Sequence, residues 1–192
     1  MGRLMHFYIP KNIPEDFLKK LGYQPVESVP VEPLEGGSAM HCFDNVRQYL
    51  SCNEGEPQFG WIFSMLGKFI LKLHAHVVVC LPDQKLLCVT PPEKPLRHVN
   101  FIKDSSVSSA IINNRLPTKS FALVNAAIIK QFVQLENDED TARLLGDHRS
   151  FSNVNSKKTI LKNDFIEYVR ANTGRNDVCF CGSEKKYKNC CR

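Results

Sequence analysis

The sequence predicts an α+β fold, in which an antiparallel sheet with flanking helices is followed by a small cysteine-rich tail. Apolar and β-branched runs between residues 60 and 90 predict the strands, and apolar residues at helical spacing before and after them predict the helices. Four of the eight cysteines fall within the last fourteen residues. We expect residues 1–150 to form the body, residues 151–172 a linker and a helix, and residues 173–192 the tail.

The first part of the body is expected to hold two helices joined by a loop. Residues 12–22 mix apolar and charged residues in a helical pattern, and the loop that follows is rich in proline and glycine. The segment 44–52 has apolar residues at helical spacing, and Asp44 is a good capping residue. Cys42 should therefore lie at or just before the N-terminus of a short helix.

Three apolar runs predict the sheet, namely GWIFSML, KFILKLHAHVVVCL and LLCVTP. Further along, FALVNAAIIKQFVQL and DEDTARLL predict two separate helices. Residues 146–158 lack apolar periodicity, and we expect them to form a linker. The run TILKNDFIEYVRAN then predicts a helix that leads directly into the tail.

Composition and charge limit the classes of protein to consider. Hydrophobic residues make up 43% and charged residues 23%, which is typical of soluble globular proteins. The chain shows no signal-peptide pattern and no apolar stretch near the ~20 residues that span a bilayer, so we expect a cytoplasmic protein with reduced thiols. Residues 156–192 contain nine Lys or Arg against four Asp or Glu, which equals the whole net charge of +5. Attraction to an acidic partner is therefore expected in the tail.

The tail has the pattern of a metal site. Its cysteines follow the order Cys-x-Cys, eight residues and Cys-Cys, and they are Cys179, Cys181, Cys190 and Cys191. Four thiolates suit tetrahedral Zn²⁺, with Zn–S bonds of ~2.3 Å, and they leave no open coordination position. A segment this short needs the free energy of metal binding to fold. We expect one structural Zn²⁺ and a tail that contributes little to the main core.

The segment GRNDVCFCGSEKKYKNCC resembles the SEC-C motif, which is found at the C-terminus of the bacterial preprotein translocase motor and of many unrelated proteins. In the usual motif prolines flank the first two cysteines, whereas this chain has Val178 and Phe180 there. The resemblance implies a structural zinc site whose basic surface docks on a protein partner. That surface would consist of Arg175, Lys185, Lys186, Tyr187 and Lys188.

The sequence favours an acidic protein surface over nucleic acid as the partner of these basic residues. They are few in number, and Tyr187 is the single aromatic residue among them. Recognition of single-stranded nucleic acid usually needs a stacking platform of aromatic rings.

The body shows a second resemblance, to an uncharacterised bacterial domain that often precedes a SEC-C tail. The matching residues lie between 41 and 91, and they are Cys42, Asn45, Gly60, Trp61, His76, Thr90 and Pro91. A cysteine at a helix N-terminus, a histidine on a strand and a carboxylate on the next strand is also the order in papain-like and transglutaminase-like enzymes. The resemblance implies Cys42 as nucleophile and His76 as its base. Cys88 stands where the pattern carries the carboxylate, so the triad is incomplete.

Several alternatives stay open for these residues. The leading interpretation is an inactive cysteine-hydrolase-like body, and the competing one is a working thiol hydrolase or acyl-transferase that uses Cys42 and His76. Both side chains also fit a purely structural role in the core. A second metal site built from His41, Cys42, His74 and His76 is a further alternative.

The register of the hairpin around residues 82–84 decides whether His76 and Cys88 lie on the same face of the sheet. A three-residue loop at residues 82–84 would place Val78 opposite Cys88, with His76 on the same face one diagonal away, at about 7 Å. A two-residue loop at residues 83–84 would place His76 and Cys88 on opposite faces.

Overall fold

A computed structural model describes residues 6–23 and 25–192 and confirms the α+β class with an antiparallel sheet. The helices are α1 (Glu15–Lys20), α2 (Cys42–Leu50), α3 (Ala127–Leu145) and α4 (His148–Asn172). The strands are β1 (Glu27–Pro30), β2 (Glu56–Leu66), β3 (Ile70–Cys80), β4 (Leu86–Leu87), β5 (His98–Lys103) and β6 (Thr118–Ala122). No helix of the described residues is both long enough and apolar enough to cross a membrane.

The described chain forms two compact units. Unit 1 contains residues 63–73 and 112–192 together with the described residues up to 13. Unit 2 contains residues 14–62 and 74–111. The boundaries predicted for the body, the linker and the tail stay a prediction.

In unit 2 the strands close into a small barrel. Their order is β1-β5-β2-β3-β4, and the chain after β1 completes the circle because Val31 forms a parallel bridge with Cys88. The Cys88 N–H donates to the Pro30 carbonyl oxygen at 2.9 Å, and the Glu32 N–H donates to that of Cys88 at 3.0 Å. The closure buries an apolar cluster made of Val29, Val78, Leu86, Cys88 and Phe101.

The hairpin between β3 and β4 has the three-residue loop. Cys80 lies opposite Leu86 and the N–H of Leu81 donates to the Lys85 carbonyl oxygen at 2.8 Å, so residues 82–84 form the turn. The same register sets Val78 opposite Cys88.

The helices of unit 1 are longer than the sequence indicated. The two expected helices after residue 120 are one helix, α3, which begins at Ala127. The expected linker at residues 146–158 is also wrong as secondary structure, because α4 begins at His148. Asp147 caps α4 by accepting the Ser150 N–H at 3.0 Å. Apolar periodicity did not predict this start because Val154 is the single buried residue in the first half of α4.

The tail is part of the core of unit 1. Phe180 is only 2% exposed, and the cluster around it includes Phe69, Phe165, Cys179 and Tyr187. The expectation that the tail contributes little to the main core is therefore wrong, because its aromatic side chains fill space between the other elements of this unit.

Candidate metal centre and buried thiols

The four tail cysteines converge on one point. The Sγ atoms of Cys179, Cys181, Cys190 and Cys191 all lie within 4.8 Å of one another. The Sγ atoms of Cys181 and Cys190 are 3.4 Å apart, and those of Cys190 and Cys191 are 3.8 Å apart. Four sulfurs bound tetrahedrally at ~2.3 Å from one zinc ion would be about 3.8 Å apart. The four thiols therefore fit a single tetrahedral metal ion.

A short antiparallel ladder sets these ligands in place. The Cys179 N–H donates to the Lys185 carbonyl oxygen, and the Tyr187 N–H donates to that of Asp177, both at 2.8 Å. Between them Gly182 has a φ of +74°, and an added Cβ there would lie 2.8 Å from the backbone oxygen of His6. The turn therefore requires glycine, and it folds the first cysteine pair back towards the second.

The surroundings of the thiols favour ligand formation. The Ser183 hydroxyl lies 3.1 Å from the Cys190 sulfur. Burial opposes ionisation of Cys181, but hydrogen bonds from Ser183 and from neighbouring thiols outweigh it and lower its pKa to about 6. Burial raises the pKa values of Cys179 and Cys191. Metal binding must displace protons from these thiols, so occupancy should fall in acid.

Two contacts hold the tail within unit 1. The buried rings of Phe180 and Tyr187, with centroids 5.7 Å apart, belong to one apolar cluster with Phe69 and Phe165. On the surface, the Asp177 carboxylate pairs with the Lys68 ammonium at 2.8 Å and accepts the Gly174 N–H at 2.7 Å. The apolar contact carries most of the stabilisation, because exposed ion pairs contribute little.

The basic residues that the sequence singled out are exposed, and they are Arg175, Lys185, Lys186 and Lys188. Their side chains form no ion pair with any residue that the structure describes. Tyr187 does not belong to this surface, because its ring is buried against Phe180.

In the body, Cys42 is the first residue of α2 and is buried, with 4% of its surface exposed. Burial raises the pKa of this thiol to about 11, although the Val77 backbone acts in the opposite direction. Cys42 is therefore a neutral thiol at neutral pH.

The hydrogen bond of the His76 imidazole is to Cys88 and not to Cys42. His76 Nε2 lies 3.3 Å from the Cys88 sulfur, and both side chains are buried. Burial, and after it the charge of His74, lowers the pKa of His76 to about 4. The pair is thus neutral at pH 7. Among the described residues, His41, Cys42, His74 and His76 do not form a second metal cluster.

Three further residues of the body resemblance have structural roles. The Asn45 side chain accepts the Ser38 N–H at 3.0 Å and donates to the Ser38 carbonyl oxygen at 2.8 Å, which holds the preceding loop against α2. The Trp61 indole N–H donates to Asp104 at 2.8 Å. Gly60 approaches β5 so closely that an added Cβ would collide with the Ile102 carbonyl oxygen.

Comparisons with known proteins support the interpretation of the tail. The SEC-C motif matches residues 175–192. The chain is also similar to UPF0225 proteins of Yersinia pseudotuberculosis and Yersinia pestis, with 34% identity over 61 residues. These residues make up 32% of this chain and 38% of each relative, so well under half of the relatives' length is covered. No solved structure matches this chain. Nothing in these similarities supports a cysteine-hydrolase-like body.

Proposed function

We propose that the tail is a closed structural zinc site that presents a basic docking surface to an acidic protein partner. The observation that carries the proposal is the convergence of four Sγ atoms within 4.8 Å at the end of the chain. Four thiolates would fill every position of a tetrahedral Zn²⁺, so no position is left for a metal-bound water. The site would therefore serve to hold structure and not to perform catalysis.

The charges around the metal centre support a docking role. Arg175, Lys185, Lys186 and Lys188 are exposed and have no ion-pair partner among the described residues. By contrast, Lys68 and Lys72 of the same unit are paired with carboxylates. Unpaired cations on a rigid core attract an anionic surface and steer its approach.

An acidic protein fits this surface better than a nucleic acid does. Both aromatic rings of the tail, Phe180 and Tyr187, are buried, so neither is available to stack on bases. We place the protein in the cytoplasm, because a reducing compartment keeps the four thiols available for the metal.

The proposal is tested by reversing charge without touching the ligands. Lys185→Glu with Lys186→Glu should retain one zinc per chain and should lose cross-linking to acidic partners in a cytosolic extract. Lys19→Glu with Lys20→Glu makes the same charge change on the exposed face of α1 and serves as the matched control. Equal recovery of partners by all three proteins would contradict a docking role.

A thiol hydrolase or acyl-transferase that uses Cys42 and His76 stays the second prediction. The position of Cys42 as the first residue of α2 favours it, because helix N-terminal N–H groups stabilise thiolates. The raised pKa of Cys42 and the contact of His76 with Cys88 both work against it.

A further inference from the structure

We infer that the acidic partner also inserts an apolar side chain, which packs on Val178 at the centre of the basic surface. This inference rests on the proposed function and specifies the chemistry of its partner. We call the exposed residues Arg175, Val178, Lys186 and Lys188 the Val178 face.

The backbone ladder of the tail builds this face. Val178 forms an antiparallel bridge with Lys186. The hydrogen bonds on either side of the bridge run from Cys179 to Lys185 and from Tyr187 to Asp177. Val178 and Lys186 are therefore a non-hydrogen-bonded pair, in which two side chains on the same face approach most closely.

A further backbone bond places Arg175 and Lys188 beside each other, next to this ladder. The Lys188 N–H donates to the Arg175 carbonyl oxygen at 3.0 Å, which sets the two residues side by side. The nearby Asp177 carboxylate does not neutralise them, because it is bound by Lys68 and by the Gly174 N–H. An apolar residue thus lies among cations that lack intramolecular partners within the described residues.

Val178 differs from its neighbours in exposing apolar surface and backbone together. Val178 is 38% exposed, whereas Phe180, two residues later, is buried. In a non-hydrogen-bonded pair the N–H and C=O of each residue point away from the partner strand. Neither group of Val178 has a hydrogen-bond partner in the described part of the chain. A partner backbone can therefore pair with Val178 while its carboxylates reach the cations.

This combination points to a peptide and not to a polyanion in general. An interface usually has an apolar centre and a polar rim, and the Val178 face has both. The phosphates of a nucleic acid would bind the cations, but they would not pack on the apolar surface of Val178. An acidic segment with one apolar side chain uses every component of the face.

The test uses the zinc-loaded full chain and three fluorescent probes. The first is the peptide Asp-Glu-Asp-Leu-Asp-Glu-Asp, the second replaces its leucine by serine, and the third is a 20-nucleotide oligouridine. Binding is measured by anisotropy for the wild type and for Val178→Ser. Ile160→Ser is the matched control, because Ile160 is 81% exposed on α4. Zinc content and circular dichroism establish that each variant is folded.

The leucine peptide should bind the wild type about fivefold more tightly than it binds Val178→Ser, because half-buried valine surface is lost. Ile160→Ser should bind like the wild type, and the serine peptide should not distinguish the proteins. Equal affinity of the wild type and Val178→Ser for the leucine peptide overturns the inference. If Lys185→Glu with Lys186→Glu then still abolishes binding, the proposed function stands. If the wild type does not bind the leucine peptide, or binds oligouridine more tightly than the peptide, both the inference about Val178 and the proposed function are overturned.

Discussion

The ring of Phe180 packs against that of Tyr187, with 5.7 Å between their centroids, and both rings belong to the same buried cluster as Phe69 and Phe165. Phe180 lies between two of the candidate metal-binding cysteines in sequence, and Tyr187 lies three residues before the second pair. The chain segments that present the ligands are therefore the same segments that fill the core of unit 1. Metal binding and the stability of unit 1 should be thermodynamically linked.

The first prediction concerns removal of the metal. Cys179→Ser with Cys190→Ser should abolish zinc binding and lower the melting temperature by roughly 5–10 °C. This shift corresponds to about 2–3 kcal/mol, which is the burial energy of one aromatic side chain, in a chain of this size. Metal content is measured by elemental mass spectrometry, and melting is followed by circular dichroism.

Cys52→Ser is the control for that experiment, because Cys52 is exposed and lies far from the tail in sequence. It should keep both the metal and the melting temperature. If the double variant melts like the wild type, the tail and unit 1 fold independently. If fresh wild-type protein carries no metal, the zinc assignment fails.

The second prediction separates packing from ligation. Phe180→Ala should keep one zinc per chain, because all four thiols remain, and should cost about 3–5 kcal/mol of unfolding free energy through the cavity it leaves. Val178→Ala at the exposed neighbouring position should cost less than about 0.5 kcal/mol. Urea denaturation of the zinc-loaded proteins measures both values. Similar costs for the two variants would mean that Phe180 is not part of the core.

The third prediction concerns Glu136, which is buried on α3 between two lysines. Its carboxylate pairs with Lys72 at 2.8 Å and also with Lys158. Burial alone would raise its pKa, but the two ammonium groups outweigh burial and lower it. A carboxyl whose pKa is lowered by folding stabilises the protein above its unfolded pKa of ~4.3, and this contribution is lost as the pH falls through the folded value.

Glu136→Gln should therefore destabilise the protein at pH 7, by about 3 kcal/mol, because it leaves two partly buried cations with less compensation. Its urea midpoint should also depend less steeply on pH below about 4.5 than that of the wild type. Glu167→Gln, at an exposed position on α4, is the control and should match the wild type. If the urea midpoints of all three proteins change with pH in the same way, Glu136 does not contribute to the pH dependence of stability.

The convergence of the four tail cysteines could be predicted from sequence because it depends on local spacing alone. The role of Phe180 could not be predicted, because other members of its buried cluster, such as Phe69, are more than a hundred residues away and nothing local marks the cluster. The β3–β4 loop left two registers open, and the bond from Leu81 to Lys85 selects one of them. Closure of the barrel was missed for a similar reason, since it depends on the distant pairing of Val31 with Cys88.

The last prediction concerns the thiols of the body. At pH 7.5 Cys42 should react with iodoacetamide far more slowly than the exposed Cys52. A pKa of about 11 in place of 9 lowers the thiolate fraction about a hundredfold, and burial further excludes the reagent. Mass spectrometry of the labelled peptides follows each cysteine separately, and zinc bound as proposed would protect the tail thiols. Addition of urea should make Cys42 and Cys52 equally reactive.

The variant Cys88→Asp tests whether any catalytic arrangement survives around His76. It places a carboxylate where His76 Nε2 now contacts the Cys88 sulfur at 3.3 Å, and so it should raise the pKa of the imidazole. If Cys42 and His76 form a latent thiol–imidazole pair, Cys42 should then label faster, because an imidazolium nearby stabilises its thiolate. We expect no acceleration, and we expect Cys88→Asp to unfold more easily, since the new charge lies within a buried apolar cluster. Labelling of Cys42 at the rate of Cys52 or faster, in either folded protein, would instead establish Cys42 as a reactive thiol and revive the hydrolase prediction.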